Sequence, residues 1–209
     1  MSPKRFLITG SNGQVGFELQ RSLAPLGEVI ALDRQGMNLA DPNSIRQAIQ
    51  TYRPEVIVNA AAYTAVDQAE SDRETAYAVN GIALGMIGEE SAKIGALVVH
   101  YSTDYVYDGS KTGPYLETDA THPPGVYGQS KLAGEHALAQ SGVDHLIFRT
   151  SWVFGSHGAN FLKTILRLAR GVFEVVATAG DRADASSTGL AQRADTIAQS
   201  VSVPIYTIV

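Results

Sequence analysis

Five short, mostly apolar runs punctuate the first 150 residues, and each is too short to be a buried helix. They are Arg5 to Thr9, Glu28 to Leu32, Val56 to Asn59, Leu97 to Tyr101 and Leu146 to Arg149. None shows the alternation of a strand with one wet face, so both faces need cover. Segments with helical spacing lie between them: about Gln14 to Leu23, Pro42 to Tyr52, about Ser71 to Ile94, and Tyr127 to Leu138. The second is the clearest, with Asp41 as N-cap and Ile45, Ala48 and Ile49 on one face. Gly81, Gly85 and Gly88 weaken the third as a helix and are expected where it packs closely on the sheet. Strands alternating with helices specify an α/β fold, a Rossmann-like doubly wound parallel sheet.

After residue 150 the pattern loosens. Asn160 to Ala169 is helical in spacing, Phe173 to Val176 reads as a strand, Gly189 to Gln199 as a helix and Val203 to Val209 as a strand. The division expected is a dinucleotide-binding domain over 1–150, then a partial substrate lobe and final sheet strands over 151–209. An end on an apolar run predicts a fragment or a reduced lobe.

Bulk composition removes several functions. With 44% hydrophobic and 18% charged residues, the 209-residue chain is an ordinary globular protein of one domain, or one domain and a small lobe. A net charge of −5 without a basic cluster argues against nucleic acid. Without cysteine there are no disulfides and no thiolate chemistry. The five histidines, His100, His122, His136, His145 and His157, lack metal-ligand spacing, so no metal is expected. Phe6-Leu7-Ile8 is too short for a signal peptide or membrane span, so no membrane partner and a cytoplasmic location are expected.

The first strand breaks at Gly10, and Gly10-x-x-Gly13-x-x-Gly16 leads into the first helix. Glycine allows a tight turn and lets the backbone approach a pyrophosphate, which the helix N-terminus attracts. The spacing departs from G-x-G-x-x-G, so the strand–turn–helix context carries much of the argument. The alternative is a glycine turn needed only for packing. Asp33, at the end of the second strand, can accept from adenosine ribose hydroxyls, which favours NADH; Arg34 beside it could instead hold a 2′-phosphate, which favours NADPH, or stack on adenine. Asp33 could equally cap its own turn. Asn38-Leu39 and Ala60-Ala61-Ala62 follow the second and third strands, where small residues would let a dinucleotide lie against the sheet edge.

Tyr127-Gly128-Gln129-Ser130-Lys131 places a phenol and an ammonium four residues apart, on one helical face. The ammonium should lower the phenol pKa and make the tyrosine a usable acid or base near neutrality. Nine tyrosines and five lysines give roughly 0.2 chance matches to this spacing, so the pair alone is a weak signal. A second match, Tyr107 to Lys111, crosses the turn signal Asp108-Gly109-Ser110 and should not share a face. Read blandly, Tyr127 and Lys131 are surface residues of an amphipathic helix.

These motifs, together with Asn59 to Asp67, Asn80 and Ser102-Thr103-Asp104-Tyr105-Val106-Tyr107-Asp108-Gly109, resemble the extended short-chain dehydrogenase/reductases. Within that family, Ala61 to Asp67, Ser102 to Gly109 and Arg149-Thr150-Ser151-Trp152-Val153-Phe154 are similar to the dTDP-4-dehydrorhamnose reductase branch. The resemblance covers about residues 5–177. It implies hydride transfer from NADPH or NADH to the 4-keto group of dTDP-4-dehydro-L-rhamnose, giving dTDP-L-rhamnose. Thr103 would hydrogen-bond the substrate carbonyl, Tyr127 would give it a proton, and Lys131 would hold the nicotinamide ribose and tune Tyr127. Cofactor contacts would come from Gly10, Asn12, Gly13, Gln14, Val15, Gly16, Asp33, Arg34, Asn38, Leu39, Ala60, Ala61, Ala62, Tyr63, Tyr127 and Lys131. The dTDP-sugar nucleotide would meet Thr64, Val66, Thr103, Asp104, Tyr105, Trp152 and Asn160. A homodimer is the assembly to test. Structural alternatives remain: a strand-end hydroxyl bonding its own backbone for Thr103, core packing for Trp152, and a helix kink for Asn80.

Two other functions compete. A related branch is the non-catalytic regulatory subunit of methionine adenosyltransferase, which would have no need of Thr103, Tyr127 and Lys131 together. Related epimerases and dehydratases also share the fold, but a dehydratase needs further acid and base groups where Asp104 is followed by Tyr105. The chain departs from the family after residue 177, where Asp181-Arg182-Ala183-Asp184-Ala185-Ser186-Ser187 replaces a segment like Asp-Gln-x-Gly-x-Pro-Thr. Relative to intact members, cofactor binding is therefore expected to be tighter than sugar-nucleotide binding, reductase activity of this chain alone to be weak, and Val203 to Val209 to favour self-association.

Overall fold

A computed structural model of the chain describes residues 3–178, with side chains as far as residue 169. The segments expected at Gly189 to Gln199 and Val203 to Val209, and the altered stretch Asp181 to Ser187, lie outside the described residues. The chain divides into two compact units, one through Ser151 and one from Trp152.

In the first unit, β1 (Lys4–Thr9), β2 (Gly27–Leu32), β3 (Val56–Asn59), β4 (Leu97–Thr103) and β5 (His145–Thr150) form one parallel sheet in the order β2-β1-β3-β4-β5. Leu7 pairs with Ile30 on one side and Ile57 on the other. This is the doubly wound fold that the alternating pattern dictates. The order reverses direction between β1 and β3, so the connections leaving their carboxyl ends part and open a crevice there.

Successive side chains point to opposite faces of the strands, and the core splits accordingly. On one face Leu7, Ile57 and Val98 are buried with Ile45 and Ile49 of α2 (Pro42–Tyr52), Leu84 and Ile87 of α5 (Ala83–Ala92) and Leu138 of α6 (Val126–Gln140). On the other, Phe6, Ile8, Val56 and Val58 meet Leu19 of α1 (Gln14–Leu23). Each such aliphatic side chain contributes about 1.5–3 kcal/mol by leaving water. Asp41 caps α2 as its position predicts, accepting from the Asn43 N–H at 2.9 Å.

The long third helix is present but interrupted: α4 (Arg73–Tyr77) runs through a π turn, Ala78–Ile82, into α5. Its glycines face α6 rather than the sheet, a correction to the sequence reading. A Cβ on Gly134 of α6 would lie 2.0 Å from the Asn80 carbonyl oxygen, and one on Gly88 of α5 would lie 2.3 Å from Ser141 Oγ. At these two positions the helices approach too closely for a Cβ, and the Asn80 carbonyl that meets Gly134 belongs to the π turn. A short helix, α3 (Val66–Ala69), precedes α4.

In the second unit, α7 spans Phe161–Thr178. Phe173 to Val176 is therefore helix, not strand. Phe161, Ile165, Leu168, Val172 and Val175 repeat at intervals of three and four, and this period overrides the local β preference of the valines.

Candidate active site

The crevice between β1 and β3 is made by backbone. Gly10 has φ +68, and a Cβ there would stand 2.8 Å from the Ala61 Cα, so the turn after β1 lies against the alanines after β3. A Cβ on Gly16 would come within 2.2 Å of the Gly10 carbonyl oxygen. Gly13 differs: it is exposed, its φ is −77, and a Cβ would meet only the Gly10 oxygen at 3.3 Å. Packing demands glycine at 10 and 16 but hardly at 13. Gly13 is also the N-cap of α1, whose first turn holds no acidic residue, so no side chain of that turn neutralises the positive end of the helix.

Around this loop the other expected cofactor residues divide. Asp33 Oδ1 accepts from the Gly36 N–H at 3.1 Å and the Gln35 N–H at 2.9 Å, and Oδ2 accepts from Asn12 Nδ2 at 3.3 Å. The Gly36 and then the Gln35 backbone bonds hold its pKa below the usual value. Asp33 thus caps its own turn while tying that turn to the glycine loop. Arg34 is exposed. Asn38 Oδ1 accepts from the Ala40 N–H at 3.1 Å, and Leu39, 6% exposed, lies in the core. Val15 and Ala60 pack on the α1 side of the sheet, while Ala61 packs on the other and donates its N–H to Thr9 Oγ1 at 3.3 Å. Gln14 and Ala62 are half-buried, and Thr64 is exposed just before Val66 opens α3.

At the end of β4, Thr103 caps a 3-10 turn, Asp104–Val106, accepting from the Tyr105 N–H at 3.2 Å and donating to Asp104 Oδ1 at 3.2 Å. Asp104 Oδ2 accepts from Ser151 Oγ at 2.6 Å. Gly128 lets this turn sit on α6, because a Cβ there would lie 2.2 Å from the Tyr105 carbonyl oxygen. That contact places the Tyr105 ring edge-on to Tyr127, with centroids 5.5 Å apart. The Tyr127 phenol bonds the Thr103 hydroxyl, and its pKa is raised, first by burial and further by the Asp104 charge, with the Thr103 bond opposing. Lys131 does not lower it, contrary to what the helical spacing predicts, because the lysine spends its amino group elsewhere.

Lys131 is 1% exposed. Its Nζ donates to the Tyr101 carbonyl at 2.7 Å and lies 3.1 Å from His100 Nε2. His100 Nδ1 is 3.0 Å from Asn59 Nδ2, and Asn59 Oδ1 accepts from Thr9 Oγ1 at 2.5 Å. Burial lowers the Lys131 pKa to about 8, with Glu135 opposing. Burial, and then the Lys131 charge, push His100 well below the usual histidine value. Asn80 closes the other side: its Oδ1 accepts from the Tyr63 N–H at 2.9 Å, and its Nδ2 donates to the Tyr63 carbonyl at 3.1 Å and to Ser130 Oγ at 3.0 Å. One turn beyond Lys131, Glu135 is paired with Arg149 at 2.6 Å and accepts from Ser102 Oγ.

Thr9, Asn59 and His100 were absent from the expected site. Each interrupts or ends an otherwise apolar strand, and a polar side chain inside a doubly covered strand needs a partner. The second Tyr-x-x-x-Lys match fails as expected: Gly109, at φ +75, turns the chain, and Lys111 pairs with Asp119.

In the second unit, Trp152 has φ +52 and is 70% exposed, which removes the core-packing alternative. Its ring meets Phe161 edge-on at 4.8 Å, and with Phe154 and Leu162 the two line an apolar recess. Asn160 Oδ1 accepts from the Lys163 N–H at 3.0 Å, capping α7. Among the described residues no group of three or more His, Cys, Asp or Glu could hold a metal ion, and no helix is long and apolar enough to cross a membrane.

The chain matches a family model, the RmlD substrate binding domain, over residues 4–202. It is 54% identical over 166 residues to a dTDP-4-dehydrorhamnose reductase of Burkholderia thailandensis, covering 79% of this chain and 56% of that protein. It is 47% identical over 203 residues to the dTDP-4-dehydrorhamnose reductase of Escherichia coli K12, covering 95% of this chain and 67% of that protein. The crystal structure of a Bacillus anthracis dTDP-4-dehydrorhamnose reductase in complex with NADP superposes with a TM-score of 0.78 at 38% identity, over 82% of this chain and 61% of that one. This chain therefore spans little more than half the length of the Burkholderia relative, and it belongs to the RmlD substrate binding domain family.

Proposed function

We propose that the chain binds NADPH or NADH in the crevice between β1 and β3 and serves the reduction of the 4-keto group of dTDP-4-dehydro-L-rhamnose. The observation that carries this reading is the Tyr127 phenol, held in its protonated form by burial and by Asp104, and bonded to the Thr103 hydroxyl. Reducing a ketone needs a proton donor beside the carbonyl oxygen, and a phenol that stays protonated at neutral pH is that donor. Thr103 offers a second hydroxyl to the same oxygen. When bound, the nicotinamide supplies the hydride.

The crevice fits a dinucleotide on its own terms. Gly13 is a glycine that packing does not require, at the positive end of α1, where a diphosphate gains most from a bare backbone. Asp33 and Arg34 stand where an adenosine ribose, with or without a 2′-phosphate, would be read. The substrate class follows from the names of the relatives and from the runs Ala61 to Asp67 and Ser102 to Gly109. In the first unit Thr64, Val66, Thr103, Asp104 and Tyr105 are the proposed sugar-nucleotide contacts; in the second, taken by itself, Trp152 and Asn160 are proposed for the same role. A purely regulatory binding role has no need of Thr103, Tyr127 and Lys131 together.

Turnover with dTDP-4-dehydro-L-rhamnose and each reduced nicotinamide tests the reading. Tyr127→Phe should lower kcat about 10²-fold or more while leaving NADPH affinity nearly unchanged. Near-normal turnover in that variant would rule out Tyr127 as the acid.

A further inference from the structure

We propose that Glu70 is a positioning residue: from the end of α3 its carboxylate caps the first turn of α6 and so fixes where the Tyr127 phenol stands. The argument begins with what α6 lacks. The first N–H groups of a helix have no partner inside it. A Ser, Thr, Asp or Asn at the N-cap commonly satisfies one of them. At that position α6 has Gly125, with no side-chain cap, and its first turn holds no acidic residue. The Val126 N–H is satisfied instead from 56 residues away, by Glu70 Oε1 at 2.8 Å.

Both partners are fitted to this contact. Gly125 has φ −111, which any residue adopts, so backbone conformation does not call for glycine there. Space does: a Cβ on Gly125 would lie 3.1 Å from Glu70 Oε1, so the missing side chain is what admits the carboxylate. Glu70 in turn does not serve its own helix, because the C-terminal end of α3 offers carbonyls and not N–H groups.

The bond lies one residue from the chemistry. Glu70 as a residue is exposed, but Val126 is 1% exposed and packs with the buried Ala69 of α3 in a cluster that includes Tyr63, Tyr77 and Tyr127. Tyr127 follows Val126 on the helix, and its phenol bonds the Thr103 hydroxyl. Helix ends fray, and a first turn without its cap takes the phenol away from that hydroxyl.

A second tie stands seven residues earlier on the same segment. Asn80 holds Tyr63 by its backbone N–H and carbonyl and donates to Ser130 on α6. Residues 63–70 are thus fastened towards α6 at both ends, and Thr64 and Val66, proposed above as sugar-nucleotide contacts, lie between the fastenings. Glu70 therefore sets the wall that meets the sugar and the residue that protonates it against one another. That consequence rests on the reading of Tyr127 as the acid; the cap itself does not.

A carboxylate at a helix N-terminus also acts through its charge, so the test separates reach from charge. Glu70→Gln keeps an acceptor of the same reach and removes the charge. Glu70→Asp keeps the charge and shortens the reach by one carbon, and Glu70→Ala removes both. With dTDP-4-dehydro-L-rhamnose and NADPH, kcat should fall about tenfold in Glu70→Ala and Glu70→Asp and recover to within about threefold of wild type in Glu70→Gln. NADPH affinity should stay level in all three, because Tyr63 keeps its bonds to Asn80, and a general loss of fold would not give that split. Amide hydrogen exchange and nuclear magnetic resonance on tyrosine-labelled chain read the cap without turnover. The Val126 amide should be protected about tenfold more in wild type and Glu70→Gln than in the other two variants, with the amides of β1 unchanged. The Tyr127 ring signals should move in Glu70→Ala and Glu70→Asp and not in Glu70→Gln.

A wild-type Val126 amide that exchanges as fast as an exposed one would overturn the proposal. So would full kcat in a folded Glu70→Ala variant, or a Glu70→Asp variant that matches wild type while Glu70→Gln does not, which would assign the effect to charge. Should Glu70→Ala not fold, Glu70→Asp against Glu70→Gln decides alone. A chain inactive in every form, with exchange and ring signals as expected, would count against the reductase reading only. An active chain whose kcat and Val126 exchange ignore Glu70 would count against this inference only.

Discussion

The crevice after β1 and the pocket beneath α6 lie at the same edge of one sheet and are built by opposite means. The crevice is made by leaving side chains out. Gly10 and Gly16 allow loop, helix and neighbouring strand to approach within distances that no Cβ survives, and Gly13 leaves a bare backbone facing outward. The pocket is made by putting polar side chains in. Lys131, His100, Asn59, Thr9, Ser130 and Asn80 are all buried, and each is bonded to another or to the backbone. An error in the first region is a steric clash, while an error in the second is an unpaired polar group. The two should fail differently.

The sharpest way to break the comparison is at the glycines, where the largest effect is expected. Gly16→Val brings a side chain to within 2.2 Å of the Gly10 carbonyl, an atom of backbone that cannot step aside, and the chain should lose its cooperative thermal transition. Gly13→Val has only the 3.3 Å contact to relieve and should melt within a few degrees of the parent, yet lose NADPH binding in a titration. Equal loss of fold in both variants would mean that Gly13 is a packing glycine. Unchanged NADPH affinity in Gly13→Val would remove the crevice as the cofactor site.

The two regions were also unequally legible in the sequence. The glycine loop was readable because its constraint is local: three glycines within seven residues, after an apolar strand and before a helical pattern. The sheet was readable for the same reason, since each strand needs cover on both faces wherever it pairs. The pocket was only half readable. The Tyr127–Lys131 spacing is local and its placement on one helix was recovered, but the partners that decide the lysine's chemistry lie 30 and more positions away, at Tyr101, His100 and Asn59. No spacing rule links them, and the pKa argument made without them had the wrong sign. Phe173 to Val176 was misread for the converse reason: four residues of local propensity were weighed against a helical period that takes a longer window to see.

A second test sharpens the difference on the pocket side and has a smaller effect. The Lys131 pKa in the folded chain lies near 8, against 10.5 for an ordinary lysine. Between those values the unfolded chain holds a proton that the folded chain has released, so stability must rise with pH across that window. Below it the buried ammonium carries its full cost, and above 10.5 the cost is gone. Lys131→Met removes the titration. The stability of wild type relative to this variant, from urea melts, should therefore climb by up to about 1.4 kcal/mol for each pH unit between 8 and 10.5. A flat difference would show that the lysine is not dry, and the pocket would then resemble the open crevice more than its opposite.

The smallest effect is expected at Tyr107, which shares the Tyr-x-x-x-Lys spacing but not the pocket. Its hydroxyl donates to the Leu116 carbonyl at 3.0 Å and accepts from Arg149 Nη1 at 2.6 Å, and its ring stacks on Tyr115 with centroids 4.1 Å apart. Every one of these contacts secures the loop that follows β4. Lys111 meanwhile reaches Asp119 rather than Tyr107. Tyr107→Phe keeps the stack and removes only the hydroxyl, so it should cost about 1 kcal/mol in a denaturant melt. Arg149 retains its bonds to Glu135, which limits the damage to that one guanidinium nitrogen. Turnover should change no more than a few-fold, against the 10²-fold or greater loss expected for Tyr127→Phe. The two variants delete the same atom from the same sequence motif, and only the surroundings differ. If Tyr107→Phe were as inactive as Tyr127→Phe, the loop would have to be part of the chemistry, and the boundary drawn here around the pocket beneath α6 would be too tight.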